Sequence, residues 1–334
     1  MKKLLFTLYT LALALATLAQ SKSGNVYEFL DLPTSARSVA IGGNHATIGT
    51  TEICHIFMNP AQLNDSAAYS VGLNVCPMPQ DIVYGSLGVG GKLYDLGIVG
   101  LGVQYINYGE FTNYDEYEVE QGKVTARETA IYLMYARKLM PRLTIGAAFK
   151  PIISHLAEYR SFGIAMDMGA RYIGRSGRFQ AAIVARNLGG QITTYDEDGS
   201  HEVLPIDLSI GCNYTTEHAP FRLSCTMKDI CHWDLSPDRN NRISGGDNLM
   251  RHLLLGVEFI PAKGFWFGMG YNHRQRKEAR TSSAGGAAGI SWGAGICIRN
   301  IHVDYGHGRY HLAGSANSIS ISYDGFTSFL KPRN

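Results

Sequence analysis

The sequence predicts an all-β protein, a transmembrane antiparallel β-barrel of about fourteen strands with an N-terminal plug. Three observations predict it. Side chains alternate with a period of two from residue 67 onward, one face of each strand is made mostly of small residues, and long and short connections alternate. The 334 residues are enough for one large barrel or for two ordinary globular domains.

Residues 1–19 have the composition of a secretory signal peptide. Lys2 and Lys3 precede an apolar run over residues 4–18, and Thr17 and Ala19 supply the small residues before a cut at Gln20. The run is shorter than the roughly 20 apolar residues that a membrane helix needs. We therefore expect an exported protein.

The composition argues against several other classes of function. A formal net charge of +2 gives a nucleic-acid partner no electrostatic support. Six irregularly spaced cysteines leave the disulfide pairing open. Cys225, Cys231 and His232 are close in sequence, but no second Cys/His pair follows at zinc-ligand spacing. We predict no metal and no cofactor.

The alternation is clearest over residues 253–259. Two faces are separated there: Leu253, Leu255, Val257 and Phe259 on one, and Leu254, Gly256 and Glu258 on the other. A helix would repeat every 3.6 residues, whereas a strand places successive side chains on opposite faces. The segments run to about ten residues, the length that a tilted strand needs to cross a bilayer.

The second face carries Gly, Ala and Ser with single charges, which is typical of strands that enclose a crowded polar lumen. A soluble sandwich would expose more Lys, Glu and Thr there. We predict that the following charged residues point inward: Lys150, Asp167, Arg171, Arg186, Asp207, Arg222, Lys228, Glu258, Arg299 and Asp304.

The predicted strands cover residues 67–76, 81–91, 96–107, 126–137, 143–153, 159–172, 178–187, 205–215, 221–228, 252–260, 264–273, 287–298, 301–307 and 317–325. Even-numbered strands are followed by short turns. Odd-numbered strands are mostly followed by longer loops, at 108–125, 188–204, 229–251 and 274–286. This alternation is typical of Gram-negative outer-membrane barrels, with short turns periplasmic and long loops outside. It predicts that both termini are periplasmic.

Residues 20–65 do not alternate in this way, and the barrel is predicted over 66–334. Short helical pieces broken at Gly42-Gly43 and Asn59-Pro60 predict a plug packed inside the barrel. An independent domain of this size would have difficulty burying a core alone.

This region also carries a family resemblance. The runs FLDLPTSARSVAIGG and MNPA resemble the PorV/PorQ outer-membrane barrels of the type IX secretion system, and the compact length is closer to the PorQ branch. That family is similar to the FadL fatty-acid channels, which have fourteen strands and an N-terminal hatch with an Asn-Pro-Ala motif. The motif-level match is confined to the plug, at Arg37, Gly42, Gly43, Asn59, Pro60 and Ala61.

The resemblance implies an attachment role. Such barrels hold a surface protein, PorZ-like for the PorQ branch, where cargo is joined to anionic lipopolysaccharide. The expected partners are therefore outer-membrane lipid, lipopolysaccharide and that surface protein. We expect partner contacts in the long loops, at Tyr114, Asp115, Tyr117, Tyr195, Asp196, Trp233, Arg239, Arg274 and Arg276.

Two other functions stay open. Residues 289–293, GISWG, match a nucleophile-elbow motif, and Ser291, His302 and Asp304 would all point into the lumen. The motif lies in a strand rather than at a strand-to-helix turn. We therefore favour a non-enzymatic protein, with a lipid A deacylase as the less favoured alternative. A FadL-like channel would need a continuous apolar path, and the mixed inward charges favour a closed scaffold instead. A route for a small polar solute is also open.

Overall fold

A computed structural model describes residues 26–49, 52–93, 96–114, 117, 119–195, 199, 201–236, 243–262, 264–278, 288–311 and 314–325. The predicted signal peptide lies outside the described residues. In the described part of the chain, no helix is long and apolar enough to cross a membrane.

Fourteen strands form one closed antiparallel barrel, in which each strand pairs with its sequence neighbours and the last pairs with the first. The prediction of a fourteen-stranded antiparallel barrel is confirmed. The strands are β1 Val71–Pro77, β2 Val83–Leu93, β3 Gly97–Tyr114, β4 Glu120–Met140, β5 Leu143–Leu156, β6 Tyr159–Ile173, β7 Phe179–Thr193, β8 Asp207–Thr215, β9 Phe221–Met227, β10 Leu253–Ala262, β11 Phe265–Asn272, β12 Ile290–Ile298, β13 Ile301–His311 and β14 Gly314–Tyr323.

The two faces of the barrel wall are reversed relative to a soluble protein. Large apolar side chains such as Leu133 and Ile321 are about half exposed, at 50% and 49%. The alternate positions bury polar groups such as Gln104 and Glu258, both at 0% exposure. Soluble proteins bury the apolar set instead. An apolar outer belt around a polar interior is the pattern of a membrane-spanning barrel, and its phase in β10 is the predicted one.

The N-terminal segment, residues 26–70, contains short helices joined by turns. They are α1 Ala36–Ala40 and three 3-10 helices, Glu28–Asp31, Ile53–His55 and Pro60–Gln62. Ser35 caps α1, because its hydroxyl accepts a hydrogen bond from Ser38 N (3.0 Å). The chain then turns at Gly42 and Gly43, where φ values of 103° and 133° favour glycine.

The same segment contacts strands on opposite sides of the ring. Helix α1 packs on β11–β14, whereas Pro60–Gln62 packs on β4–β6. Phe29, Phe57 and Ile53 of the segment form the hydrophobic core together with inward side chains such as Tyr84 and Tyr132. The core therefore lies between the segment and the inner faces of the strands.

Several boundaries differ from the prediction; β7 and β13, for example, continue to Thr193 and His311 rather than to residues 187 and 307. Strand β1 begins at Val71 rather than at residue 67, because Asn64 Oδ1 accepts from Ser66 N (2.8 Å) and Ala67 N (3.1 Å) and holds a turn. The predicted long loop 108–125 is wrong. Strand β3 continues to Tyr114 and β4 begins at Glu120, and these two residues form the last pair of the hairpin.

The connections follow the predicted alternation only in part. The turns that connect each even-numbered strand to the next strand are all short. These turns lie at one end of the barrel, which we call the short-turn end. At the opposite, long-loop end, three connections are long, at 194–206, 228–252 and 273–289. Strands β13 and β14 instead pair as far as His311 and Gly314, so a tight hairpin joins them.

The first and last described parts of the chain lie at opposite ends of the barrel, and the two termini themselves are outside the described residues. Val26, the first described residue, lies at the long-loop end, where its N–H donates to Val203 O (3.0 Å). Strand β14 finishes at Tyr323, which pairs with Ile301 at the short-turn end. The segment therefore crosses from one end of the barrel to the other before β1 begins.

The predicted inward charges are confirmed with one exception. Arg299 was expected in the lumen, but it lies exposed in the two-residue turn between β12 and β13, with a φ of 58°. Strand alternation ends at Ile298, so it cannot orient the next residue. The other nine are mostly or fully buried: Lys150, Asp167, Arg171, Arg186, Asp207, Arg222, Lys228, Glu258 and Asp304.

The outer belt gives a test of membrane insertion. Replacing Leu133→Arg, on the exposed face of β4, should lower the free energy of unfolding in lipid vesicles by about 2–4 kcal/mol. Tyr117→Arg is the control, because Tyr117 is 83% exposed in the β3–β4 connection and should change stability by less than about 0.5 kcal/mol. Equal losses for the two variants in urea titrations would contradict a lipid-facing β4.

Candidate functional site: the lumen and the N-terminal segment

The strongest link between the segment and the barrel wall is made by Arg37 of α1. Its Nε donates to Glu258 Oε1 of β10 (2.7 Å), and its Nη1 pairs with Glu52. The guanidinium lies 4.3 Å from the ring centroid of Trp266, whose Nε1 donates to Asp304 Oδ1 (2.6 Å). The sequence resemblance marked Arg37 as a plug motif residue but did not predict these partners.

A second cluster joins the first turn of the segment to β7 and β8. Arg186 Nη2 lies 2.7 Å from Asp207 Oδ2 and 2.9 Å from Asp31 Oδ1. Lys228 Nζ lies 3.8 Å from the other oxygen of Asp31. Asp207 also accepts from the backbone N–H of Asp229 (2.9 Å). One arginine therefore connects a carboxylate of the wall with a carboxylate of the segment.

A third cluster lies within the wall itself. Lys150 Nζ of β5 lies 2.6 Å from Asp167 Oδ1 of β6 and also donates to Asn187 Oδ1 of β7. Asp167 Oδ1 accepts from Asn187 N (2.8 Å), where Asn187 has a φ of 59°. Buried charges are costly unless they are paired, and this cluster pairs both of its charges.

The inward glycines explain how closely the segment approaches the wall. A Cβ on Gly146 would lie 2.5 Å from Ala61 N, and those on Gly90, Gly270 and Gly306 would also meet backbone atoms of the segment. Small inward residues were predicted from a crowded lumen. The physical reason is more specific: a side chain at these positions would occupy the space of the segment's main chain.

The Asn-Pro-Ala motif has a local structural role. Asn59 Oδ1 accepts from Ala61 N (2.9 Å), and Asn59 Nδ2 donates to Ala46 O (2.9 Å), so one amide caps a 3-10 helix and links it to another turn. Pro60 occupies the first helical position, where its missing N–H costs nothing. Arg171 Nη1 of β6 donates to Gln62 Oε1 (3.0 Å) in the same turn.

The three residues of the hypothetical catalytic group are not brought together. Ser291 Oγ donates to Ala40 O (3.0 Å), and Asp304 accepts from Trp266. His302 Nε2 lies 3.0 Å from Asp324 Oδ2 instead. The residue of β12 directly opposite Asp304 is Gly295, and Gly295 lies four residues from Ser291 along β12. These serine, histidine and aspartate side chains each make separate structural contacts.

A different serine–histidine–carboxylate contact was not foreseen. Ser35 Oγ lies 3.1 Å from His55 Nδ1, and His55 Nε2 lies 3.5 Å from Glu52 Oε2. All three residues are at most 6% exposed, and Glu52 is also paired with Arg37. With no access for a substrate, the contact fixes the segment's fold.

Several of the predicted partner-facing residues are used within the barrel. Arg274 Nη1 pairs with Asp229 (2.9 Å), Tyr195 OH donates to Ser154 Oγ (2.8 Å), and the Trp233 ring stacks on His252 (4.8 Å). Tyr117 and Arg276 are exposed. Tyr114 ends β3, while Asp115, Asp196 and Arg239 lie outside the described residues.

Two helices at the long-loop end are joined through one carboxylate. They are α2 Gly245–His252 and α3 His273–Glu278. Asp247 accepts from His273 Nε2 (2.8 Å) and pairs with Arg251 (3.0 Å) and Lys277 (3.2 Å). The hydrogen bond from His273, together with those from Arg251 and Lys277, holds the pKa of Asp247 well below its usual range. The two longest loops are therefore connected above the barrel.

The cysteines are all free thiols, and Cys212 and Cys225 are directly opposite each other on β8 and β9. In the described ranges, no group of three His, Cys, Asp or Glu side chains could hold a metal ion. The pair of Cys231 and His232 therefore gains no third ligand there.

These features define a membrane-spanning β-barrel of the outer-membrane type, with an N-terminal segment ion-paired to its inner wall. No family model and no curated protein sequence matches the chain. Among solved structures, it is similar to the Pseudomonas putida toluene transporter TodX at a TM-score of 0.53 and 12% identity, over 88% of this chain and 98% of that one.

The monoaromatic hydrocarbon channel CymD aligns at a TM-score of 0.51 and 13% identity, over 90% of this chain and 98% of that one. A TodX mutant channel aligns at 0.55 and 13%, over 88% and 99%. At such identities the likeness shows a shared fold alone, the FadL-like barrel that the resemblance predicts.

The Arg37 cluster gives a stability prediction. Replacing Arg37→Met leaves Glu258 and Glu52 buried without this partner, which should lower the free energy of unfolding by about 3–5 kcal/mol. Lys123→Met is the control, since its pair with Glu110 is exposed and screened by solvent, so the stability should change far less. Denaturant titration in detergent would measure both. An Arg37→Met loss no larger than the control would show that the cluster does not hold the segment.

The close approach of the segment to the inward glycines gives a second prediction. Gly146→Val should displace the turn at Ala61 and expose the N-terminal segment to trypsin, detected by mass spectrometry of limited digests. Gly190→Val is the matched control in a neighbouring part of the sheet, because a Cβ there meets no heavy atom within 4 Å. Identical digestion of the two variants would contradict close packing at Gly146.

Proposed function

We propose that this protein is a closed outer-membrane barrel that anchors a surface partner of the type IX secretion system, and that residues 20–65 are its plug. The observation that carries the proposal is the attachment of the segment to the wall through buried ion pairs. Arg37 and Arg186 each join a carboxylate of the segment to a carboxylate of a strand. These ion pairs would have to break before such a plug could leave the lumen.

The type IX assignment rests on the resemblance of FLDLPTSARSVAIGG and MNPA to the PorV/PorQ barrels. In that setting the partner is a PorZ-like surface protein, the long loops face outside, and lipopolysaccharide surrounds the barrel. The structure supports a rigid platform at the long-loop end, because Asp247 links α2 to α3 there.

The second candidate is a channel for small hydrophobic ligands. The solved structures favour it over anchoring, on which they are silent, because the similar barrels are a toluene transporter and a monoaromatic hydrocarbon channel. A channel would require the Arg37 and Arg186 pairs to separate or a path to run beside them. The paired charges in the lumen favour the closed anchor.

An enzymatic role is the weakest candidate. Ser291, His302 and Asp304 have separate partners, and the solved structures named above are transport proteins. We propose a non-enzymatic protein that needs no cofactor. Ser291→Ala should leave lipid A acylation unchanged in mass spectra.

Bilayer recordings separate the anchor from the channel. The purified protein should give no single-channel conductance, while a variant with Arg37→Met and Arg186→Met should open, because both links of the segment to the wall are removed. Toluene and fatty-acid uptake into vesicles is measured in parallel. Uptake by the unaltered protein would favour the channel.

Affinity capture from detergent-solubilised outer membrane tests the partner. Recovery of a PorZ-like surface protein with the unaltered barrel, and its loss when residues 245–252 and 273–278 are replaced by short glycine–serine loops, would support anchoring at the long-loop end. Recovery of no surface protein, together with hydrocarbon uptake, would refute it.

A further inference from the structure

A cavity of about 390 Å3 opens at the long-loop end, where the N-terminal segment meets β3, β4 and the β7–β8 connection. Four aromatic rings line it, those of Tyr27, Tyr108, Phe111 and Tyr195. Three carboxylates line it as well, those of Glu28, Glu128 and Glu202, and among the described residues no lysine, arginine or histidine does. The combination is acidic and aromatic rather than apolar throughout.

The carboxylate of Glu128 is the unusual member. It is 4% exposed, and the Tyr108 hydroxyl donates to its Oε2 (2.7 Å). In the described part of the chain it forms no ion pair, whereas Asp167, Asp207 and Glu258 each pair with a lysine or arginine. A buried carboxylate normally needs a cation nearby, and Glu128 lacks the basic partner that these three acids have. Asp304, which likewise forms no ion pair with a described side chain, accepts from Trp266 instead.

The two other carboxylates repeat this pattern at the rim. Glu28 is exposed and Glu202 half-buried, and neither forms an ion pair with a described basic side chain. Three negative groups around one cavity repel an anionic ligand and attract a cationic one.

The aromatic rings select the kind of cation. Ring faces attract a positive charge within about 6 Å of the centroid and also contact the methylene groups that carry it. The ring of Tyr195 is held by its hydroxyl bond to Ser154 Oγ (2.8 Å), and that of Tyr27 by its bond to Ser161 Oγ (2.5 Å). Both rings are therefore fixed before a ligand arrives.

We propose that this cavity binds an organic ammonium group, supplied by a free alkylamine or by a lysine side chain of a surface protein. The ammonium hydrogens bond Glu128, Glu28 and Glu202, and the alkyl part packs on Tyr195 and Phe111. A hydrocarbon would leave Glu128 buried without a cation. The inference does not depend on whether the barrel is an anchor or a channel.

The test is calorimetric titration of the full-length mature barrel in detergent with n-butylammonium, against n-butanol as the neutral ligand of similar shape. The ammonium should bind at least about tenfold more tightly, because a hydrogen bond to a charged partner is lost with the alcohol. Glu128→Gln should weaken ammonium binding about tenfold, and Tyr195→Leu about threefold.

Two further variants keep the result interpretable if Glu128→Gln fails to fold. The double replacement Glu28→Gln and Glu202→Gln changes residues at the rim and should weaken binding about tenfold. Glu158→Gln is the matched control, since Glu158 is an exposed carboxylate at the same end that does not line the cavity. It should bind as the unaltered protein does.

A lysine-containing peptide and its norleucine analogue distinguish the two sources of the ammonium group. Binding of the peptide alone indicates a protein partner, and binding of butylammonium as well indicates access for free amines; both support the site. Equal binding of butylammonium and butanol, or an affinity that the double rim variant leaves unchanged, would overturn it.

Discussion

The structure depends on the pairing of Arg37 with Glu258, a contact between a helix of the N-terminal segment and the inner wall of β10. A closed barrel isolates its interior from bulk water, so every charge placed there needs a partner within reach. Arg37 satisfies this need for Glu258 and Glu52 at once, and Trp266 covers the face of its guanidinium. Removing the segment would therefore take the nearest basic group from Glu258 and leave only the longer contact with Arg222 (3.6 Å) among the described pairs. Wall and segment are stable as one unit.

Shape complementarity follows from the same constraint. The inward positions opposite the segment are glycines at the points where its main chain comes nearest, at Gly90, Gly146, Gly270 and Gly306. A lumen lined by larger side chains could bond the segment only through their tips and would hold it at a distance. With glycine there, the main chain of the segment comes close enough for Ala36 N to donate to Ser320 Oγ (2.8 Å). The TodX-like fold is thus compatible with a tightly filled interior.

Much of the barrel could be predicted from the sequence, because strand alternation is a local property that survives in every lipid-facing segment. The prediction failed outside the lipid-facing part of the strands, where the two faces of a strand no longer differ in polarity. Over residues 108–125 both faces of the β3–β4 hairpin are polar or mixed, so nothing in the pattern marks the strand. Arg299 failed for a similar reason, since alternation says nothing about a residue in a turn. The pairing within the site could not be predicted: the sequence placed Arg37 in the plug and Glu258 in the lumen, but they are 221 residues apart and no local pattern connects them.

The buried acids of the lumen have two kinds of partner, and this difference has a physical origin. Asp167, Asp207 and Glu258 each have a basic neighbour on the wall or the segment. Glu128, near the long-loop end, has a tyrosine hydroxyl instead. An acid sealed in the centre can be compensated only by the chain itself, whereas one beside an open cavity can be compensated from outside. Glu128 lies beside the cavity, where a cation from outside can reach it.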